Sequence, residues 1–145
     1  MQAQLSEGRR LMGRLAKGVD LLGGLEEQCR LHNITLGEVR ALGAVTRARL
    51  GYYQQESRQY RFFDLDRPLE ILSLMGNVSL KDGQAMVHAH VTLGDAEGRA
   101  YGGHLAAGTP VFACEFVIQE YRSEKVFQRQ MDEETGLFLW GKEEG

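Results

Sequence analysis

The sequence predicts an α+β domain built on an antiparallel sheet, and three observations predict it. Short apolar stretches follow one another as hairpins, with turn residues between them, rather than alternating with helices. Only one stretch has a clear helical spacing of apolar residues. Glycine is abundant and proline scarce, 18 against 2 in 145 residues, which suits a sheet with many tight turns. The length fits one domain with a real core, and no linker, repeat or low-complexity tract divides residues 1–145. A short basic arm is expected over about 1–9 and the folded core over about 10–140.

Taken in order, residues 9–16 read as a first strand that Gly18 ends. Asp20 is placed to cap a helix with Leu22, Leu25 and Cys29 on one face, and with Glu26 and Glu27 turned outward. Asn33 suits the other end of that helix. Residues 38–53 read as two strands or one bent strand, punctuated by Gly37, Gly43 and Gly51. Residues 58–64 are a strand with Tyr60, Phe62 and Phe63, and residues 69–75 an apolar strand expected to be buried on both faces. Gly76, Asn77 and then Asp82-Gly83 read as turns. Residues 84–93 alternate: Ala85, Val87, Ala89, Val91 and Leu93 share one face, and Gln84, Met86, His88, His90 and Thr92 the other. The turn at 94–98 leads to a return strand over Arg99–Leu105, then a strand over 111–121 and a last edge strand with Leu137 and Leu139. That makes about seven strands and one main helix.

Charge and cysteine content narrow the function classes. Twenty acids outnumber 17 bases, for a net charge of −3, whereas nucleic-acid binders usually carry a basic excess. Arg9, Arg10, Arg14 and Lys17 form the one local basic stretch. Cys29 and Cys114 lack a CxxC spacing and read as buried thiols in a reducing compartment. No apolar run is long enough to span a bilayer and no signal-peptide pattern opens the chain, so the expected location is the cytoplasm. Serine-hydrolase elbows, phosphate-binding loops and dinucleotide fingerprints are absent from the sequence.

Three of the four histidines fall in the 84–105 hairpin. His88 and His90 are two apart on a strand and share a side. If Gly94 faces Gly98, His88 lies opposite His104, His90 lies opposite Gly102, and the three imidazoles converge beside open space left by Gly102 and Gly103. Three convergent neutral imidazoles suit zinc, or another divalent transition metal such as nickel, copper or iron(II), with a fourth position left for water or an exogenous group. A polar cluster at a subunit interface would show the same pattern, so both readings stand at this point. A one-residue slip would turn His104 to the opposite face. Glu115, which interrupts an apolar strand, is the one carboxylate considered for a role beside the ligands; the alternative is that it pairs with an arginine.

The residues resemble those of the plants-and-prokaryotes-conserved domain family. The similarity lies in Pro68–Asn77 (PLEILSLMGN), in His88-Ala89-His90 followed by Gly102-Gly103-His104-Leu105, in Gly18–Leu22 and in Gly43-Ala44-Val45, and it covers roughly residues 10–140. The resemblance implies an antiparallel sheet packed with helix, a homotrimer, and zinc held by His88, His90 and His104. In the plant members such a domain follows an AT-hook, a DNA minor-groove segment, and a "GRFEIL" stretch contacts transcription factors. The corresponding residues here are Arg67, Glu70, Ile71 and Leu72, with Pro68 and Leu69 departing from the pattern, and this sequence has no AT-hook.

Two functions follow as expectations. One is a trimeric interaction module, associated with DNA or transcription, whose metal is structural or sensory. The other is a small metal-dependent enzyme of hydrolase type, or a binder of anionic ligands, using the open metal position.

Overall fold

The computed structural model describes residues 2–141. Its elements are β1 (Ser6–Leu15), α1 (Leu21–Leu31), β2 (Gly37–Val45), β3 (Ala48–Gln54), β4 (Gln59–Leu65), β5 (Leu69–Lys81), β6 (Gln84–Gly94), β7 (Ala100–Leu105), β8 (Val111–Arg122), β9 (Arg129–Asp132) and β10 (Leu137–Trp140). Eight strands make one sheet in the order β1-β8-β2-β5-β6-β7-β3-β4, and β9 and β10 pair as a separate hairpin. Every strand pair is antiparallel. The fold class is the one the sequence predicts, and the tail supplies a two-stranded hairpin rather than a single edge strand.

Alternation creates the core. Val87, Ala89, Val91 and Leu93 of β6 are at most 3% exposed and join the buried Leu21, Leu25 and Cys29 of α1 in one cluster. Asp20 caps α1 by accepting from Gly23 N at 3.0 Å, and its other oxygen accepts from Gly108 N and Thr109 N at 2.8 and 2.9 Å. Asn33, with φ 53°, turns the chain out of the helix. Both cysteines are free and buried, and burial pushes their thiols up, to about 12 for Cys29 and about 11 for Cys114, so neither is a ready nucleophile.

Several expectations are corrected. Glu26 does not face outward: its Oε1 accepts from Val87 N at 3.1 Å, and partial burial raises its carboxyl pKa. That amide needs a partner because β7 leaves β6 after the His90–His104 pair. The β5 strand runs through Gly76 and Asn77 and turns only at Asp82-Gly83. It is also not buried on both faces of the chain: Leu69, Ile71 and Leu74 are buried, whereas Leu72 is 52% and Met75 63% exposed. The basic arm is shorter than expected, since β1 starts at Ser6 and Arg9 is held by Glu120 at 2.8 Å.

The face of the sheet away from α1 is open and unusually apolar. Met12, Leu42, Leu72 and Met75 are each more than half exposed there. One register row crosses the whole sheet on this face: Met12, Val117, Arg40, Met75, His90, His104, Gly51, Phe62. Among the described residues no helix is long and apolar enough to cross a membrane.

Candidate metal centre

The three histidines stand on the open face because β6 buries its alanine and valine side chains beneath α1. The hairpin loop sets which of them meet. Asp95 Oδ1 accepts from Glu97 N and Arg99 N at 3.0 and 2.9 Å, Asp95 N donates to Arg99 O at 3.0 Å, and Gly98 takes φ 76°. The first ladder pair outside this closed loop is Gly94–Ala100, so His90 lies opposite His104 and Thr92 opposite Gly102. This differs from the expected pairing of His88 with His104 and His90 with Gly102. The shift is two residues, which restores every side chain to its own face.

The three rings therefore converge. Their centroids are 5.3 Å (His88–His90), 5.1 Å (His88–His104) and 5.7 Å (His90–His104) apart. One nitrogen from each lies within 4.8 Å of the others. Tetrahedral zinc with ligand bonds of about 2.0–2.1 Å needs nitrogens about 3.3 Å apart, so modest ring rotations would complete the set. Two observations fit a cation here. His104 Nδ1 is buried with no hydrogen-bond partner. Burial, then the neighbouring His104, Arg129 and His90, pushes His88 down to about 4, and burial, His90 and Arg129 push His104 down as well. His88 and His104 are thus held towards the neutral form, the form that ligates.

Tyr60, Asn77 and Arg129 surround the rings. The Tyr60 ring lies 4.9 Å from that of His104. Asn77, opposite His88 on β5, accepts from Arg129 Nη2 at 2.6 Å. Arg129 is 6% exposed and also donates to Ser79 Oγ and the Phe138 carbonyl, both at 3.0 Å. Sequence reasoning missed these three partners. Asn77 read as a turn residue, Tyr60 lies on a strand joined to His104 only through β3, and Arg129 is brought in from a tail hairpin by contacts to residues about fifty positions away.

Other candidates fall elsewhere. Glu115 is exposed and faces Arg14 on β1 and Leu42 on β2, with β2 and β5 between it and β6, so it is not brought to the histidines. Gly102 and Gly103 do not leave open space. A Cβ at Gly102 would lie 3.2 Å from the Val91 carbonyl, and one at Gly103 3.0 Å from the Gly51 carbonyl, because β7 is squeezed between β6 and β3. In the Arg67–Leu72 stretch, Arg67 stacks 4.8 Å over Tyr101, Ile71 is buried, and Glu70 and Leu72 are exposed.

Comparison with known proteins agrees with the overall fold. A family model described as the Plants and Prokaryotes Conserved (PCC) domain matches residues 2–122. A metal-containing protein from Archaeoglobus fulgidus is 42% identical, with a TM-score of 0.92 over 98% of this chain and 99% of that one. A plant- and prokaryote-conserved protein from Pyrococcus horikoshii is 34% identical, with a TM-score of 0.92 over 98% and 97%. A candidate DNA-binding protein from Ralstonia eutropha JMP134 is 25% identical, with a TM-score of 0.80 over 90% of each chain. Among curated proteins, the bifunctional protein GlmU of Synechococcus sp. strain JA-3-3Ab is 35% identical over 124 residues; these are 85% of this chain but 19% of that relative's length.

Proposed function

We propose that this chain, which belongs to the Plants and Prokaryotes Conserved (PCC) domain family, is a self-associating interaction module whose His88, His90 and His104 hold a zinc ion. The observation that carries this reading is the convergence of three imidazoles, one nitrogen from each within 4.8 Å of the others, on the open face of the sheet. The metal-containing neighbour from Archaeoglobus fulgidus supports it. When bound, zinc would supply a rigid cross-link between β6 and β7 and a Lewis-acidic position open to solvent or ligand. The chain's own part is to hold the three rings together, through Tyr60 against His104 and the packed β6–β7 pair.

Self-association, as a trimer, is supported by the apolar open face. Met12, Leu42 and Met75 are poor solvent-facing residues and good interface residues. Arg67, Glu70 and Leu72 form the accessible rim for a protein partner, and Ile71 supports them from the core. Association with DNA or transcription, suggested by the Ralstonia neighbour, would run through such a partner. Arg9 and Arg10 are weak phosphate contacts, since Arg9 is held by Glu120 and Arg10 by Gln119.

Elemental analysis of purified wild type beside His88→Ala, His90→Ala and His104→Ala tests the centre. About one zinc per chain in the wild type, lost in each variant, is the expected result. Metal-free wild type after reconstitution would leave the histidines as a polar interface cluster.

A further inference from the structure

Beyond the metal centre, the departure of β7 from β6 opens a fork that the β9–β10 hairpin covers. The fork holds a cavity of about 280 Å³ reaching His88 and His104. Its charge among the described residues is one-sided: Arg58, Lys81 and Arg129 line it, and no described carboxylate does. Tyr60 and Met86 give it an aromatic and apolar wall.

Arg129 is the informative residue. Several other arginines pair with acids, as in Arg9–Glu120, Arg49–Asp64 and Arg99–Asp95. Arg129 is more buried than any of these, yet all three of its acceptors are neutral: Ser79 Oγ, the Phe138 carbonyl and Asn77 Oδ1. Among the described residues no carboxylate pairs with it. Three acceptors also leave two of the five guanidinium N–H groups unused. The Tyr60 hydroxyl on the same wall likewise makes no hydrogen bond among the described residues. A buried, hydrogen-bonded but uncompensated guanidinium is costly unless an anion completes it. Spare donors with an adjacent aromatic wall suit an oxyanion carried on a small organic body.

We propose that this cavity binds a small organic oxyanion, a carboxylate or a phosphate monoester, with Arg129 as the anchoring cation, Lys81 and Arg58 at the mouth, and Tyr60 against the organic part. His88 and His104 are shared with the metal centre, so bound zinc adds positive potential at the far wall and strengthens anion binding. The anion site does not require the metal: Arg129 anchors it in metal-free protein too.

Calorimetric titration of the full chain, both chelator-treated and zinc-loaded, with phenyl phosphate, benzoate and the neutral benzyl alcohol tests this. At least one anion should bind one per chain to the metal-free protein, weaken as salt is raised, and outbind benzyl alcohol. Phosphate-only or carboxylate-only binding assigns the head group. Arg129→Gln should weaken binding by about tenfold or more. Lys81→Gln, which leaves the Arg129 network intact, should weaken it by about threefold and serves as the check if Arg129→Gln misfolds. The proposal is overturned if neither anion binds metal-free protein, if benzyl alcohol binds as well as the anions, or if a folded Arg129→Gln binds like wild type. Loss of zinc stoichiometry with anion binding retained would sink the metal reading alone.

Discussion

Gly51 sits directly opposite His104 across the β3–β7 pair, and the rings of Tyr60 and Phe62 from β4 close over it. A Cβ at Gly51 would meet both rings at 3.1 Å. Since β4 is the sheet's edge strand, the rings can swing outward, and Tyr60 would then leave its place against His104. Gly51→Ala is expected to weaken zinc binding by about tenfold, as loss of a ligand's supporting contact does, while destabilising the fold by only about 1 kcal/mol. Competition with a chromogenic chelator beside a thermal melt measures both. Unchanged zinc affinity would mean that Tyr60 does not position His104.

The open apolar face predicts what breaks self-association. Leu42→Asp and Met75→Asp place a charge where the single chain leaves the side chain 58% and 63% exposed, so the fold should tolerate them. Sedimentation is expected to show the variants as monomers, and the wild type's melting temperature alone should rise with concentration. A wild-type monomer at high concentration would count against the assembly.

Asp20 joins the start of α1 to the loop before β8. Asp20→Ala removes the acceptor for Gly23 N, Gly108 N and Thr109 N together. A stability loss of about 2–3 kcal/mol is expected from the lost cap and the two stranded amides. Asp20→Asn, which keeps one oxygen, should lose less, and urea unfolding of the pair measures the difference.

The pairing of β1 with β8 has a pH signature. Hydrogen bonds from the Arg9 side chain and backbone hold Glu120 down, to about 2 from an ordinary 4.5. A carboxyl depressed on folding stabilises fully above its unfolded value, and that stability is lost as pH falls from about 4.5 through about 2. Urea midpoints across this range should therefore fall more steeply in wild type than in Arg9→Ala or Glu120→Gln. Parallel curves would show that the pair contributes nothing measurable.

The sequence carried the parts of this molecule that depend on local pattern. The β6 alternation is visible because one face meets α1 and the other does not, and that alone places His88 and His90 outward. The Asp20 cap and the Asn33 helix end are visible because Asp is favoured at a helix start and Asn at a left-handed helix end, next to a clear apolar helical spacing. Less local features were not legible. The His90–His104 pairing depends on Asp95 closing a five-residue loop rather than a three-residue turn. The continuous apolar run at 69–75 suggested burial on both faces, whereas a single chain covers only one of them. Arg129, Asn77 and Ser79 meet only through the tertiary placement of the β9–β10 hairpin, for which no spacing rule exists.

The pleat of the β6–β7 hairpin gives the histidine triplet a tolerance to change. Side chains return to the same side at every second position, so sliding β7 along β6 by two residues towards a His88–His104 pairing exchanges which imidazoles face one another but keeps all three together. An odd step would turn His104 to the opposite face of the sheet and split the group. Two residues can therefore be lost at 95–99 with the three histidines still together, while a single insertion or deletion survives only if the loop itself absorbs it.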